Sequence, residues 1–227
     1  MATFLIGDAI NYGWEKMKAF FTLFLMVLGL LLGIQLITIL LDMIPGIGVL
    51  VFVASLVVSF IFQLGIYRLS LDLIDSKPGR VPTLWSQTNL LPEYIIGTVL
   101  YVLIIIGGLI LLIVPGIVWA IKYRFYGYLI VDKKMSPMDA IKESGKMTYG
   151  HKWHLLGFWF TLLGVNILGA LALLVGLFVT IPTTMMADAY VYRALLGKTP
   201  AGVKTTAKVK SVAKGQAKSG KSAKKKR

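Results

Sequence analysis

The chain has no cysteine. That excludes disulfides, thiolate nucleophiles and Cys-based metal sites, and it leaves the redox compartment undetermined. Histidine is nearly absent as well, at 2 residues. His151 and His154 stand three apart, a spacing some metal sites use, but no nearby carboxylate completes a shell. Acids number only 10 against 24 Lys and Arg, giving a formal charge of +14. No nucleophile–base arrangement, Gly-rich phosphate loop or pair of acids in a plausible cleft stands out. An enzyme is not expected, and neither is a cofactor or a metal.

What is abundant is apolar sequence. The 227 residues are 57% hydrophobic with a mean hydropathy of +0.78. Soluble domains hold roughly 45–50% apolar residues. Only helices that satisfy their own backbone, or closed barrels, cross lipid. Barrel strands alternate apolar and polar positions. The runs here are continuous, as in Leu23–Leu32 and Ile104–Val114. An all-α integral membrane protein is expected. No basic residue precedes Phe4-Leu5-Ile6 and no small-x-small site follows an apolar core, so the first span is expected to be an uncleaved anchor.

The cations can all be placed on one side of a bilayer. They fall at 16–18, 68–80, 122–152 and 193–227. Between them lie three apolar blocks: 19–67, broken only by Asp42; 94–131, broken only by Lys122 and Arg124; and 155–192, broken only by Asp188. Cytoplasmic loops carry the excess of Lys and Arg. Each block is therefore expected to leave the cytoplasm and return as a hairpin. This predicts about six transmembrane helices in the cytoplasmic (inner) membrane, with both termini cytoplasmic.

Three internal repeats are read, at about 4–72, 80–133 and 136–196. A Pro follows the first span of each, at Pro45, Pro115 and Pro182, and an aromatic–Arg pair marks each return: Tyr67-Arg68, Tyr123-Arg124 and Tyr192-Arg193. Pro is tolerated at a helix start, and Tyr and Arg suit the headgroup level. The alternative is that Pro115 merely kinks one long helix. An interfacial amphipathic lead precedes each block. Ile6, Ile10, Trp14 and Met17 recur at helical spacing in the first. Ser136-Pro137-Met138-Asp139 reads as a helix N-terminus opening the third. The middle lead, around Trp85, is the weakest match.

Four stretches carry a resemblance: Ile6-Gly7-Asp8-Ala9 through Gly13-Trp14-Glu15; Leu111 to Ile117 around Val114-Pro115-Gly116; Ala140 to Ser144; and Gly176 to Pro182 up to Tyr190-Val191-Tyr192-Arg193. In these the chain resembles the membrane domain fused to some bacterial glycerophosphodiester phosphodiesterases, and its stand-alone relatives. The resemblance implies a polytopic bacterial or archaeal membrane protein with a lipid-linked role. The phosphodiesterase activity of fused members lies in a separate soluble barrel that this sequence lacks, so the activity does not carry over.

Within the blocks, Lys122 and Arg124 sit seven and nine residues beyond Pro115, and Asp188 sits six beyond Pro182. Similar depths predict that Asp188 pairs with Lys122 or Arg124; the alternative is that all three snorkel at the interface. Gln63 and Asn166 are neutral polar residues within spans, expected to hydrogen-bond across helices or to line a solute path. Gly29 and Gly33 form a small-xxx-small pattern, read as internal packing rather than dimerisation.

Residues 1–196 are read as the membrane domain and 197–227 as a disordered cytoplasmic tail. The tail region holds Lys198, Lys204, Lys208, Lys210, Lys214, Lys218, Lys221, Lys224, Lys225, Lys226 and Arg227, with no acid and no aromatic. It cannot bury a core. It is expected to bind anionic lipid headgroups, or alternatively a ribosome or nucleic acid through phosphates. The sequence thus predicts a non-enzymatic multi-pass protein that interacts with lipids. The alternatives are a small transporter or channel, and a membrane tether for ribosome or nucleic acid.

Overall fold

The computed structural model describes residues 4–172 and 175–198; most of the basic tail, and with it the expectation of disorder there, lies outside the described residues. Among them the chain is helical, with no strand. The helices are α1 (Ile6–Ala19), α2 (Phe21–Asp42), α3 (Gly48–Ile74), α4 (Leu91–Leu111), α5 (Ile113–Tyr123), α6 (Tyr126–Lys133), α7 (Pro137–Met147), α8 (Lys152–Leu171) and α9 (Leu177–Leu195). Two 3-10 turns, Val81–Trp85 and Thr88–Leu90, lead into α4.

Four of these segments are long and apolar enough to cross a membrane: α2, α3, α4 with its 3-10 lead, and α8. The two remaining return helices do not meet that description. α5 has 11 residues, about 16 Å of helix against a hydrocarbon core of ~30 Å. α9 has 19 residues but carries Pro182, Thr183, Thr184, Asp188 and Arg193 along its length.

Each apolar block nevertheless turns back on itself. At Leu112 the backbone leaves the helix for an extended conformation, φ −170° and ψ 151°. Gly108 and Gly116 then lie against one another: a Cβ built on Gly108 would stand 2.9 Å from the Gly116 Cα. Further along, the Tyr101 hydroxyl donates to the Ala120 carbonyl at 2.9 Å. Pro115 falls in the first turn of α5, where its missing N–H costs nothing. The chain reverses here; it is not one kinked helix. Gly169 and Gly176 make the same kind of close backbone contact between α8 and α9. Pro182 is inside α9 rather than at its start. Beside it the Thr183 and Thr184 hydroxyls donate to the carbonyls of Val179 and Ile181, the manner in which side chains support a Pro-interrupted helix.

Burial is polarised along the hairpins. In α3 the first half is largely exposed, while Phe62 to Ile74 supplies most of its buried residues. α6 is buried from Tyr126 to Val131, and α9 from Pro182 to Arg193 with few breaks. These segments, with α1 and α7, make a packed cap at the Lys- and Arg-bearing ends. Away from it the hairpins expose apolar side chains: Val49 is 80% exposed, Ile110 81% and Leu171 74%. In water such surfaces would drive association. In lipid they are at no disadvantage.

Each lead packs on the return segment of the block before it, and the pattern closes. α1 lies on α9, with Gly13 against the Thr183 carbonyl and the Tyr12 and Tyr190 rings 5.2 Å apart. The Val81–Trp85 turn lies on α3, with Leu84 against Gly65. α7 lies on the α5–α6 junction, where the Ser144 and Thr148 hydroxyls each stand 3.0 Å from the Lys122 carbonyl. Ser144 also accepts from the Phe125 N–H at 3.2 Å, so this break between helices is satisfied by hydroxyls from α7. The N-terminus of α7 follows its sequence signature: the Ser136 hydroxyl oxygen accepts from the Asp139 N–H at 3.3 Å, with Pro137 opening the helix. Gly29 and Gly33 have nothing within 4 Å of an added Cβ. They do not serve internal packing, because the face of α2 that carries them is open.

The seating of α1 has a direct test. A methyl group at Gly13 would press on the α9 backbone, whereas one at Gly7 meets nothing within 4 Å. Forcing atoms into a packed contact costs about 1–3 kcal/mol. Gly13→Ala should therefore lower the melting temperature of the protein in mild detergent by several degrees, and Gly7→Ala should not. Equal melting of the two variants would contradict the α1–α9 contact.

Candidate functional site

Charge converges at the cap on Arg193, near the end of α9. Its guanidinium donates to Asp75 at the end of α3, with Nε at 3.1 Å and Nη2 at 2.6 Å. It also donates to Asp132 in α6, with Nη1 at 2.6 Å and Nη2 at 3.1 Å. The Tyr192 hydroxyl adds a bond to Asp132 at 2.9 Å. The Arg193 side chain is 5% exposed. Burial alone would push the Asp132 carboxyl up, but the hydrogen bonds and charge of Arg193 outweigh it and hold the group below the usual carboxylate range. Beyond this clamp Gly197 adopts φ +74°, and the Lys198 N–H donates to the Arg193 carbonyl at 3.0 Å, closing α9.

A second ion pair joins Arg124, at the α5–α6 junction, to Asp188 on α9. Nη2 of Arg124 donates to both carboxylate oxygens, at 2.6 and 2.7 Å. Both side chains are about one-fifth exposed. Lys122 does not share this pair; its ammonium lies 4.8 Å over the Tyr123 ring. Nη1 of Arg124 is buried and has no partner among the described residues. Arg124 lines a cavity of about 480 Å³ with Tyr67, Tyr101, Tyr126, Ile117 and Trp159. Behind it aromatic rings stack in series, Tyr101 on Tyr126 at 5.0 Å and Tyr128 on Tyr192 at 5.0 Å.

The other polar residues singled out within the blocks are placed apart from one another. Gln63 reaches the Tyr67 hydroxyl. Asn166 donates to Thr184 Oγ1 at 3.4 Å, across the α8–α9 hairpin, and its own carbonyl oxygen is buried without a partner among the described residues. His154 contacts the Phe4 carbonyl at 2.7 Å. No group of three His, Asp or Glu positioned for a metal occurs among the described residues. Of the tail cations only Lys198 is described; Lys204 through Arg227 lie outside.

A third feature was not read from the sequence. Lys122, Lys142 and Lys146 face a cleft of about 710 Å³ between α7 and the α4–α5 hairpin, floored by Ile104 and Ile141 and flanked by Tyr149. Lys146 stands 3.9 Å from Glu143. The signal was present in the i, i+4 spacing of Lys142 and Lys146 on an amphipathic helix. The contribution of Lys122 depends on how α7 packs, which one sequence does not reveal.

The family model described as "Protein of unknown function (DUF975)" matches residues 11–199. Among curated proteins, Uncharacterized protein Mb2590 of Mycobacterium bovis is 28% identical over 158 residues, covering 68% of this chain and 48% of its own length. Uncharacterized protein Rv2560 of Mycobacterium tuberculosis shows the same identity and coverage. The chain thus spans about half the length of the curated relatives it matches. No solved structure matches. The resemblance to the glycerophosphodiester phosphodiesterase membrane domain is corrected by this match: the family covering nearly the whole chain is a different one. The residues behind the resemblance were mostly apolar span residues, which recur in many membrane helices for the same physical reason.

Two predictions follow from the ion pairs. Removing one partner of a buried pair leaves an uncompensated charge and costs about 3–5 kcal/mol. Asp188→Asn should lower thermal stability in detergent well beyond Lys142→Gln, a change on the exposed face of α7; matching losses would mean the pair is not held. For Asp132 the folded value is lowered, so its contribution is complete above the unfolded value of about 3.9 and is lost as pH falls through the folded value. Acid unfolding should begin at higher pH in Arg193→Gln than in the parent protein. Superimposable acid-unfolding curves would show that Arg193 does not hold Asp132.

Proposed function

The chain belongs to that family of unknown function, and from this premise we propose that it is a non-enzymatic multi-pass membrane protein that holds anionic lipid at its basic face. Its three blocks act as repeats about the membrane normal, with α5 and α9 as the return arms of a six-segment body. The closed pattern of leads on preceding return segments supports that arrangement. The cap lies on the cytoplasmic side of the inner membrane, by the distribution of Lys and Arg, and both termini lie on that side.

The observation that carries the lipid reading is the cleft of Lys122, Lys142 and Lys146. Three lysines line the cleft together with the apolar Ile104 and Ile141, and Ile104 belongs to α4, one of the segments apolar enough to span a membrane. Cations above a hydrocarbon-compatible wall suit a phosphate headgroup above its acyl chain. The tail, with 11 Lys or Arg in residues 198–227, adds non-specific attraction to the same anionic surface. Two readings from the sequence receive less support. A transporter needs a path, yet the rings of Tyr67, Tyr128 and Tyr192, one from each block, pack against one another at 4.5 and 5.0 Å. A ribosome or nucleic-acid tether would rest on the tail alone.

Each Lys near an anionic surface contributes about 1 kcal/mol, roughly fivefold in affinity. The full chain, purified from mixed phosphatidylglycerol and phosphatidylcholine micelles, should retain phosphatidylglycerol preferentially when bound lipid is counted by mass spectrometry. Changing Lys122, Lys142 and Lys146 together to Gln should remove most of that preference. An undiminished preference would overturn the cleft as the lipid site, and no preference in the parent protein would overturn the lipid reading itself.

A further inference from the structure

The cavity beside Arg124 has chemistry distinct from that of the basic cleft. Its walls come from α3, α4, α5, α6 and α8, with α3, α4 and α8 among the segments apolar enough to span a membrane. Ile117 and Trp159, on its rim, are 42% and 40% exposed, on surfaces that would face lipid. A ligand would therefore enter from the bilayer.

Charge narrows the class of ligand. Asp188 already neutralises Arg124, so an added anion would leave uncompensated charge in a low-dielectric site. A neutral molecule would not. Hydrogen bonding narrows it further. The buried Nη1 of Arg124 has no acceptor among the described residues, and a buried donor left unpaired is costly. Arg124 lines the cavity, and a ligand oxygen bound there would be the acceptor this donor lacks. The remaining hydroxyls are already engaged: Tyr101 donates to the Ala120 carbonyl, Tyr126 pairs with Thr98 at 2.8 Å, and Tyr67 meets Gln63. What the walls offer besides Arg124 is ring faces, from Tyr67, Tyr101, Tyr126 and Trp159. Flat aromatic walls favour a flat ring stacked or edge-on against them. The cavity, about 480 Å³, falls in the ~300–1,000 Å³ range of small-molecule sites.

We propose that this cavity binds the ring of a lipid-soluble quinone, with a ring carbonyl accepting from Arg124 and the isoprenoid tail lying in the bilayer past Ile117 and Trp159. The proposal concerns binding alone and does not depend on the lipid cleft. Arg124 is the hydrogen-bonding residue, Asp188 positions it, and the tyrosines and Trp159 set the preference for a planar head.

The test uses the full chain in detergent micelles with ubiquinone-1, a short-chain quinone, titrated by calorimetry. One saturable site per chain is expected. Arg124→Lys keeps the charge opposite Asp188 but replaces the planar fork, and its separate Nη1, with one compact ammonium, and Ile117→Trp fills the cavity from its exposed rim without disturbing the ion pair. Each should weaken binding at least tenfold, while Lys152→Gln, at an exposed lysine that lines neither site, should leave it unchanged. Dioleoylglycerol, which offers ester carbonyls without a ring, should not compete. Absence of a saturable site, unchanged affinity in Ile117→Trp, or equal competition by dioleoylglycerol would each overturn the proposal.

Discussion

The structure depends on one guanidinium. Arg193 gathers Asp75 from the end of α3 and Asp132 from α6, while belonging itself to α9. Three apolar hairpins are thereby tied together at one end. The hairpins contribute little to that task themselves, since most of their apolar side chains face outward. In lipid, no hydrophobic force draws such surfaces together. Specific polar contacts and close packing at the cap must therefore set how the blocks stand. A two-carboxylate grip on a planar cation suits this, because it fixes direction as well as distance.

The same logic explains the position of the second pair. Arg124 and Asp188 join the middle block to the third, below the clamp and beside the stacked tyrosines. The leads complete the cap by covering the return segments of neighbouring blocks. Where a helix breaks, at the α5–α6 junction, hydroxyls from α7 take up the freed backbone groups. Polar satisfaction is thus concentrated in the cap, and the ends away from it are left almost purely apolar. That division supports a body set in a bilayer with a charged cap at its surface.

Much of this architecture was legible in the sequence because its causes are local. Continuous apolar runs, the reversal around Pro115 and the N-terminus at Ser136 follow from backbone and solvent chemistry that needs no tertiary context. The span count was harder. Cations mark where a block begins and ends, but not whether its return arm is a full crossing, and α5 has too few residues for one. Asp75 and Asp132 drew no notice because acids at span ends usually meet only water. Their role arises from Arg193, which is 118 residues from Asp75 in the chain. Lys122 and Arg124 looked equivalent as partners for Asp188; the turn at the α5–α6 junction directs only Arg124 toward it. Gly29 and Gly33 misled for a related reason: small residues permit close helix approach but do not require it.

The central claim is that the cap and the α2–α3 turn lie on opposite sides of a bilayer. The cysteine-free sequence makes this directly measurable. Single cysteines placed at Ser86 in the cap and at Met43 in the α2–α3 turn, both exposed, can be challenged with a membrane-impermeant maleimide on intact bacterial cells. Met43→Cys should label from outside, and Ser86→Cys only after the membrane is permeabilised. Labelling of both positions from the same side would contradict the account.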